Sequence, residues 1–161
     1  MPDKIGGLPA HPLIVHLPIV FGPILGLLAI AMLNPAWRER LIKPVAVLSI
    51  ITAVAAIMAA ESGEWLASHL VDGPPAGLED HEEAAELYRN LAIVLSLLLI
   101  GGAVFFSRLK GAMQHAAAVL IAVVGLVSIV AVVEAGHEGA KLAWGDQLSA
   151  TPTGGEGDEG K

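Results

Sequence analysis

The chain has 161 residues, of which 55% are hydrophobic and 16% charged, with no cysteine and a formal net charge of −7 at pH 7. That length suits one domain, and the composition is too apolar for a soluble domain of this size. The missing cysteines exclude disulfides, thiolate metal sites and c-type haem attachment within the chain.

Residues 1–10 read as a short N-terminal segment. Four apolar runs follow, at about 12–33, 44–60, 90–107 and 111–133, none with Asp, Glu, Lys or Arg. A bilayer needs about 20 residues of helix, so each run is a candidate span. The first is too long for a signal-peptide core and reads as a retained span. It opens with His11 near the N-cap and Pro12 at the first helical position, where no amide donor is needed. Pro18 and Pro23 inside the run predict a kink.

Residues 34–43 are expected to be a loop carrying Arg38, Arg40 and Lys43. After the second span, helical spacing puts Glu61, Trp65 and His69 on one face, so this helix should run about two turns past the membrane. The stretch Val71-Asp-Gly-Pro-Pro-Ala-Gly77 is a turn by its breakers. Asp80 followed by Glu83 fits a capping box and predicts a helix start near His81. That helix leads through Glu82, Glu83 and Glu86 into the third span. Arg108, Lys110 and Gly111 make a tight hairpin to the fourth. Residues 150–161 have a composition that cannot bury a core and are expected to be a disordered tail.

Charge sets the expected topology. The short loops at one end hold Arg38, Arg40, Lys43, Arg108 and Lys110, and of the 16 acids only Glu39 lies with them. Positive loops stay cytoplasmic, so both termini are expected on the periplasmic side of a bacterial inner membrane. His11, His16, His69, His81 and His137 then fall at the outer end, and His115 at the inner end.

The expected architecture is an all-α integral membrane four-helix bundle over 11–149, with helices extending beyond the outer face. Each helix delivers a histidine or glutamate to that face. A charge at mid-bilayer costs at least about 2.5–3.5 kcal/mol, which favours a functional role for His16 and Glu134. A histidine at a helix end also simply caps it, and an acidic loop is often just solvated.

Two site chemistries stay open. Haem b in a membrane bundle takes imidazoles from facing helices, here from among His11, His16, His81 and His137, with His16 and His137 ranked first. Gly22, Gly26, Gly63, Gly136 and Gly139 would let a flat macrocycle approach the backbone. A bare iron, zinc or copper ion would draw on His16, His81, Glu61, Glu134 and His137, since Glu134-x-x-His137 occurs in carboxylate-bridged di-iron bundles. Glu64 and Glu82 would support either site. His81-Glu82 lacks the second histidine of a zinc-protease helix, and no hydrolytic triad, phosphate loop or nucleic-acid-binding patch appears. The chain therefore reads as an electron carrier or accessory subunit rather than an enzyme. A structural subunit whose cap is a docking surface is the third reading.

His11-Pro-Leu-Ile-Val-His16-Leu-Pro18 fits H-P-x-x-x-H-x-P, and Gly136-His137-Glu-Gly139-Ala-Lys-Leu142-Ala-Trp-Gly145 fits G-H-x-G-x-x-L-x-x-G. With Ser62-Gly-Glu64 and His81-Glu82, these motifs resemble a family of small bacterial four-span membrane proteins catalogued as a domain of unknown function. The resemblance covers roughly residues 8–146. In that family the domain is sometimes joined to c-type cytochrome modules. The resemblance thus implies redox company for a lipid-embedded protein, with a c-type cytochrome or other redox subunit as partner. A homo-oligomer stays open. The resemblance carries His11, His16, His81 and His137 over as motif histidines. Ala140 stands where the family often has a second glycine.

Overall fold

The computed structural model describes residues 4–71 and 73–149, the side chains of 146–149 excepted. The expected disordered tail at 150–161 lies outside the described residues. Two short antiparallel strands, β1 (Lys4–Ile5) and β2 (Leu8–Pro9), open the chain. Gly6 and Gly7 join them at φ +60° and +86°, the two positive angles a type I′ hairpin needs. Helices α1 (His11–Ile14), α2 (His16–Ala31), α3 (Pro35–Ser68), α4 (Leu78–Phe105) and α5 (Gly111–Ser149) follow. Four helical stretches are long and apolar enough to cross a membrane, with α1 and α2 together forming the first. The all-α membrane bundle expected from the sequence is the fold found.

Local chemistry explains the helix boundaries, including those the sequence reading misplaced. The break at Val15 between α1 and α2 lies one turn before Pro18, which has no amide hydrogen to give the Ile14 carbonyl. Ala10, not His11, is the N-cap of α1. The expected loop at 34–43 is helical from Pro35. The Asn34 side chain accepts from the Ala36 amide at 3.0 Å, and proline occupies the first turn. Pro44 lies inside α3 rather than starting it. The predicted capping box also fails: α4 starts three residues before His81, after Gly77 at φ +84°, with no side-chain cap. Glu79 and Asp80 fall in its first turn, where the helix dipole favours negative charge.

In the bundle α2 packs on α3 and α5, and so does α4. Helices α2 and α4 therefore share one diagonal, α3 and α5 the other. Leu25, Leu95 and Leu99 are buried in the centre, while Leu27, Leu97 and Val130 face outward, 60% or more exposed. Apolar surface on the outside is what a lipid solvent requires. Close approach of small residues then replaces the hydrophobic drive between helices.

The two hairpins of the bundle repeat each other. Ile14, Gly22, Leu25, Gly26 and Ala29 are buried in the first spanning helix, and the same register in α4 buries Ala84, Ala92, Leu95, Ser96 and Leu99. In α3, Val45, Thr52, Ala55 and Ala59 are buried, as are Ile121, Ser128, Ala131 and Ala135 in α5. Thr52 donates to the Leu48 carbonyl and Ser128 to the Val124 carbonyl, each one turn back. The close pair Gly26–Gly125 is answered across the bundle by Ser49 and Ser96, whose hydroxyls are 3.2 Å apart. The domain is thus a pseudo-two-fold pair of helical hairpins.

The basic end is locked in the same way twice. Arg38 is buried and donates to the carbonyl of Met32, the C-cap of α2, at 3.4 Å. Its guanidinium lies 5.3 Å over the Phe106 ring. In the second half Gln114 donates at 3.2 Å to the carbonyl of Phe106, the C-cap of α4. A charged hydrogen bond of this kind contributes about 1.5–3 kcal/mol. Arg38→Ala should therefore lower the unfolding midpoint in detergent by the equivalent of about 2 kcal/mol. Arg38→Gln, which copies the residue used in the other half, should recover most of that loss.

Candidate functional site

At the opposite end, the first turns of α1 and α4 each carry a half-buried histidine whose ring crosses to the following spanning helix. The His11 Nδ1–H donates to the Ala59 carbonyl of α3 at 2.9 Å, and the His81 Nδ1–H donates to the Ala135 carbonyl of α5 at 3.0 Å. A carbonyl oxygen only accepts, so in both rings the hydrogen is on Nδ1. Nε2 is then left with a lone pair in the neutral ring.

The two imidazoles meet at the centre of this end. Their centroids are 6.2 Å apart and their planes 80° apart. A direct imidazole–imidazole hydrogen bond, with nitrogens ~2.9 Å apart, would need centroids about 1 Å closer. Two imidazoles bonded through nitrogen to opposite sides of one metal atom, at ~2.0–2.1 Å each, place their centroids at about 6.4 Å. The observed separation is that of an edge-to-face ring contact and lies nearer the second value than the first.

Each ring rests on a glycine. A Cβ on Gly63 would lie 3.0 Å from the His11 Cε1, and one on Gly139 3.0 Å from the His81 Cε1. The sequence reading assigned these glycines to the approach of a macrocycle; here they receive imidazole edges. Gly22 instead makes room for the buried Tyr88, whose hydroxyl donates to the Pro18 carbonyl at 3.4 Å. Gly26 meets Gly125 and Ile129, and a Cβ on Gly136 would meet nothing within 4 Å. Ala140 is exposed.

The other sequence candidates lie elsewhere. His16 and His137 are exposed, as are Glu61, Glu64, Glu82 and Glu134. Glu134 lines a shallow hollow with Asp80, Glu83 and Glu138, and Glu82 lines another beside Pro74 and Pro75. Among the described residues no group of three or more His, Asp or Glu side chains is gathered to hold a metal ion. The set His16, His81, Glu61, Glu134 and His137 therefore does not converge. All of these but His81 lie on outward helix faces, which sequence adjacency to the motif glycines does not reveal. His69 stacks on Trp65 at 4.3 Å, as their spacing predicts, and is exposed.

The sequence reading missed the Ala59 and Ala135 carbonyls and the role of Tyr88. A signal was present: in both halves an alanine precedes a glycine by four residues at the end of an apolar run.

A search among curated proteins and a search among solved structures each found no match. A family model described as "Predicted membrane protein (DUF2231)" matches residues 7–152, from the hairpin through both histidines and the glycine seats to beyond the last span. Four apolar helices and a match over nearly the whole length place the chain in that family of membrane proteins of unknown function.

Proposed function

We propose that this is a membrane redox protein that holds haem b between His11 and His81 and transfers electrons. The observation that carries the reading is the imidazole pair, 6.2 Å apart with both Nδ1 atoms bonded to backbone carbonyls. The donor set separates haem from a bare ion. A zinc site needs three or four protein ligands, and among the described residues no third His, Asp or Glu joins the pair. Haem would need only two protein ligands, which His11 and His81 would supply. Bound there, it would supply one-electron chemistry, with the carbonyl-bonded imidazoles tuning the iron. Held by both His11 and His81, it would serve electron transfer rather than oxygen activation.

The charge pattern supports a site at the periplasmic face of an inner membrane, with the Arg38, Arg40, Lys43, Arg108 and Lys110 end in the cytoplasm. A c-type cytochrome or other redox subunit is the expected partner, meeting the acidic outer end.

The test is the absorption spectrum of detergent-purified protein supplied with haem, oxidised and dithionite-reduced, with and without carbon monoxide. A Soret band, a sharp reduced α-band and no change on adding carbon monoxide are expected. A colourless, haem-free protein would sink the reading, and a carbon-monoxide-reactive haem would sink the two-histidine ligation.

A further inference from the structure

We infer that Gly63 and Gly139 are positioning residues, which with the Ala59 and Ala135 carbonyls hold the two imidazoles as a matched pair offering Nε2. The inference rests on the site reading above for what the pair binds, but not for how the pair is held.

Four observations meet here. Each glycine lies one helical turn after the alanine whose carbonyl takes the Nδ1 hydrogen. The carbonyl and the seat are thus presented on one face of one helix. The two glycines occupy corresponding places in the two hairpins. Each would bring a methyl to 3.0 Å from Cε1 and 3.1–3.3 Å from Nδ1 of its own histidine. Finally, the nearby Gly136, in the same motif as Gly139, has open space where its Cβ would be.

The physical consequence is specific. A methyl at 3.0 Å from a ring carbon must displace that ring by a few tenths of an ångström. The His81 ring is tied by its bond to Ala135 and the His11 ring by its bond to Ala59 with a longer Ser62 hydroxyl contact at 3.5 Å, so the displacement lengthens the Nδ1–H···O contact and turns Nε2. That disturbs both controls on the ligand atom: its direction and the tautomer that leaves it unprotonated. An alanine at Gly136 does neither. Because the halves correspond, Gly63→Ala and Gly139→Ala should produce matching effects, one on each histidine.

The experiment is nitrogen-15 NMR of the histidine rings in the haem-free protein, followed by haem titration of the same samples. In the unsubstituted protein His11 and His81 should both show the Nδ1–H tautomer. Gly63→Ala should move the His11 signals and Gly139→Ala those of His81, each weakening haem binding by about 10–100-fold, the usual cost of disturbing a ligand's supporting shell. Gly136→Ala should leave signals and titration unchanged. Nε2–H tautomers in the unsubstituted protein, or signals indifferent to Gly63→Ala and Gly139→Ala, would overturn the inference. The first result needs no variant to fold. Signals that move as expected in a protein that takes up no haem would support the positioning role and overturn the haem reading alone.

Discussion

His11→Ala and His81→Ala should each abolish the six-coordinate haem spectrum, while His16→Ala and His137→Ala leave it in place. The first two histidines have rings at the centre of the outer end, 6.2 Å apart, and the second two are exposed. Removing a partner that merely supports a ligand costs about 10–100-fold in affinity, so removing the ligand itself should cost more than about 100-fold. Folding should not be the cause. The lost hydrogen bond contributes about 1 kcal/mol, and Ala59 and Ala135 lie inside α3 and α5, where their carbonyls can take helical partners. Unfolding midpoints of the His→Ala variants without haem should therefore stay close to the parent. The double variant should bind no worse than either single, since two axial bonds act as one site. Retention of the spectrum in His81→Ala together with its loss in His137→Ala would restore the ranking drawn from the motifs.

Gly26→Ala should destabilise the bundle by about 3 kcal/mol, at the upper end of what overpacking costs. The added Cβ would lie 2.5 Å from the Ile129 Cγ1 and 2.6 Å from the Gly125 carbonyl oxygen. A side chain can rotate away from such a contact, but backbone cannot, so α2 and α5 must separate along their length. Gly101→Ala is the matched control. Its Cβ would meet nothing within 4 Å, and alanine is the better helix former by about 1 kcal/mol. The two substitutions should thus act in opposite directions, read as the midpoint of unfolding in a denaturing detergent titration. Equal effects at both positions would mean that α2 and α5 do not meet as closely as the Gly26–Gly125 contact requires.

The membrane bundle was legible in the sequence because a bilayer imposes a length and an apolarity that any reader can count. The runs at 44–60 and 111–133 fall within the helices found, and those at 12–33 and 90–107 overrun theirs by two residues at the C-terminal end. Capping was legible only in part. The Asn34-Pro35 pair starts α3, but Pro44 drew the expected start nine residues late because proline suits both a first turn and, at a cost, an interior. His11 and His81 were recognised as candidates from their place at helix starts, and His137 and His16 from the glycines and prolines around them.

What the sequence by itself determined is therefore the number of spans, the acidic and basic ends, and the presence of histidines at one end. Only the tertiary structure decided which histidines meet. Local spacing gives the face of a residue on its own helix, but not which face turns inward; that is settled by the packing of all four helices together. The repeat of the two hairpins was hidden for a related reason. Leu25 and Leu95 correspond, but so do Gly26 and Ser96, Ala29 and Leu99, and Glu61 and His137. What is shared is burial and backbone register rather than residue identity. Seen in that register, the exposed His137 stands in the place of the exposed Glu61, while Ala135 and Gly139 stand in the places of Ala59 and Gly63. The small residues that receive the imidazoles are the repeated feature, because a carbonyl and a missing methyl are what an imidazole needs from a helix.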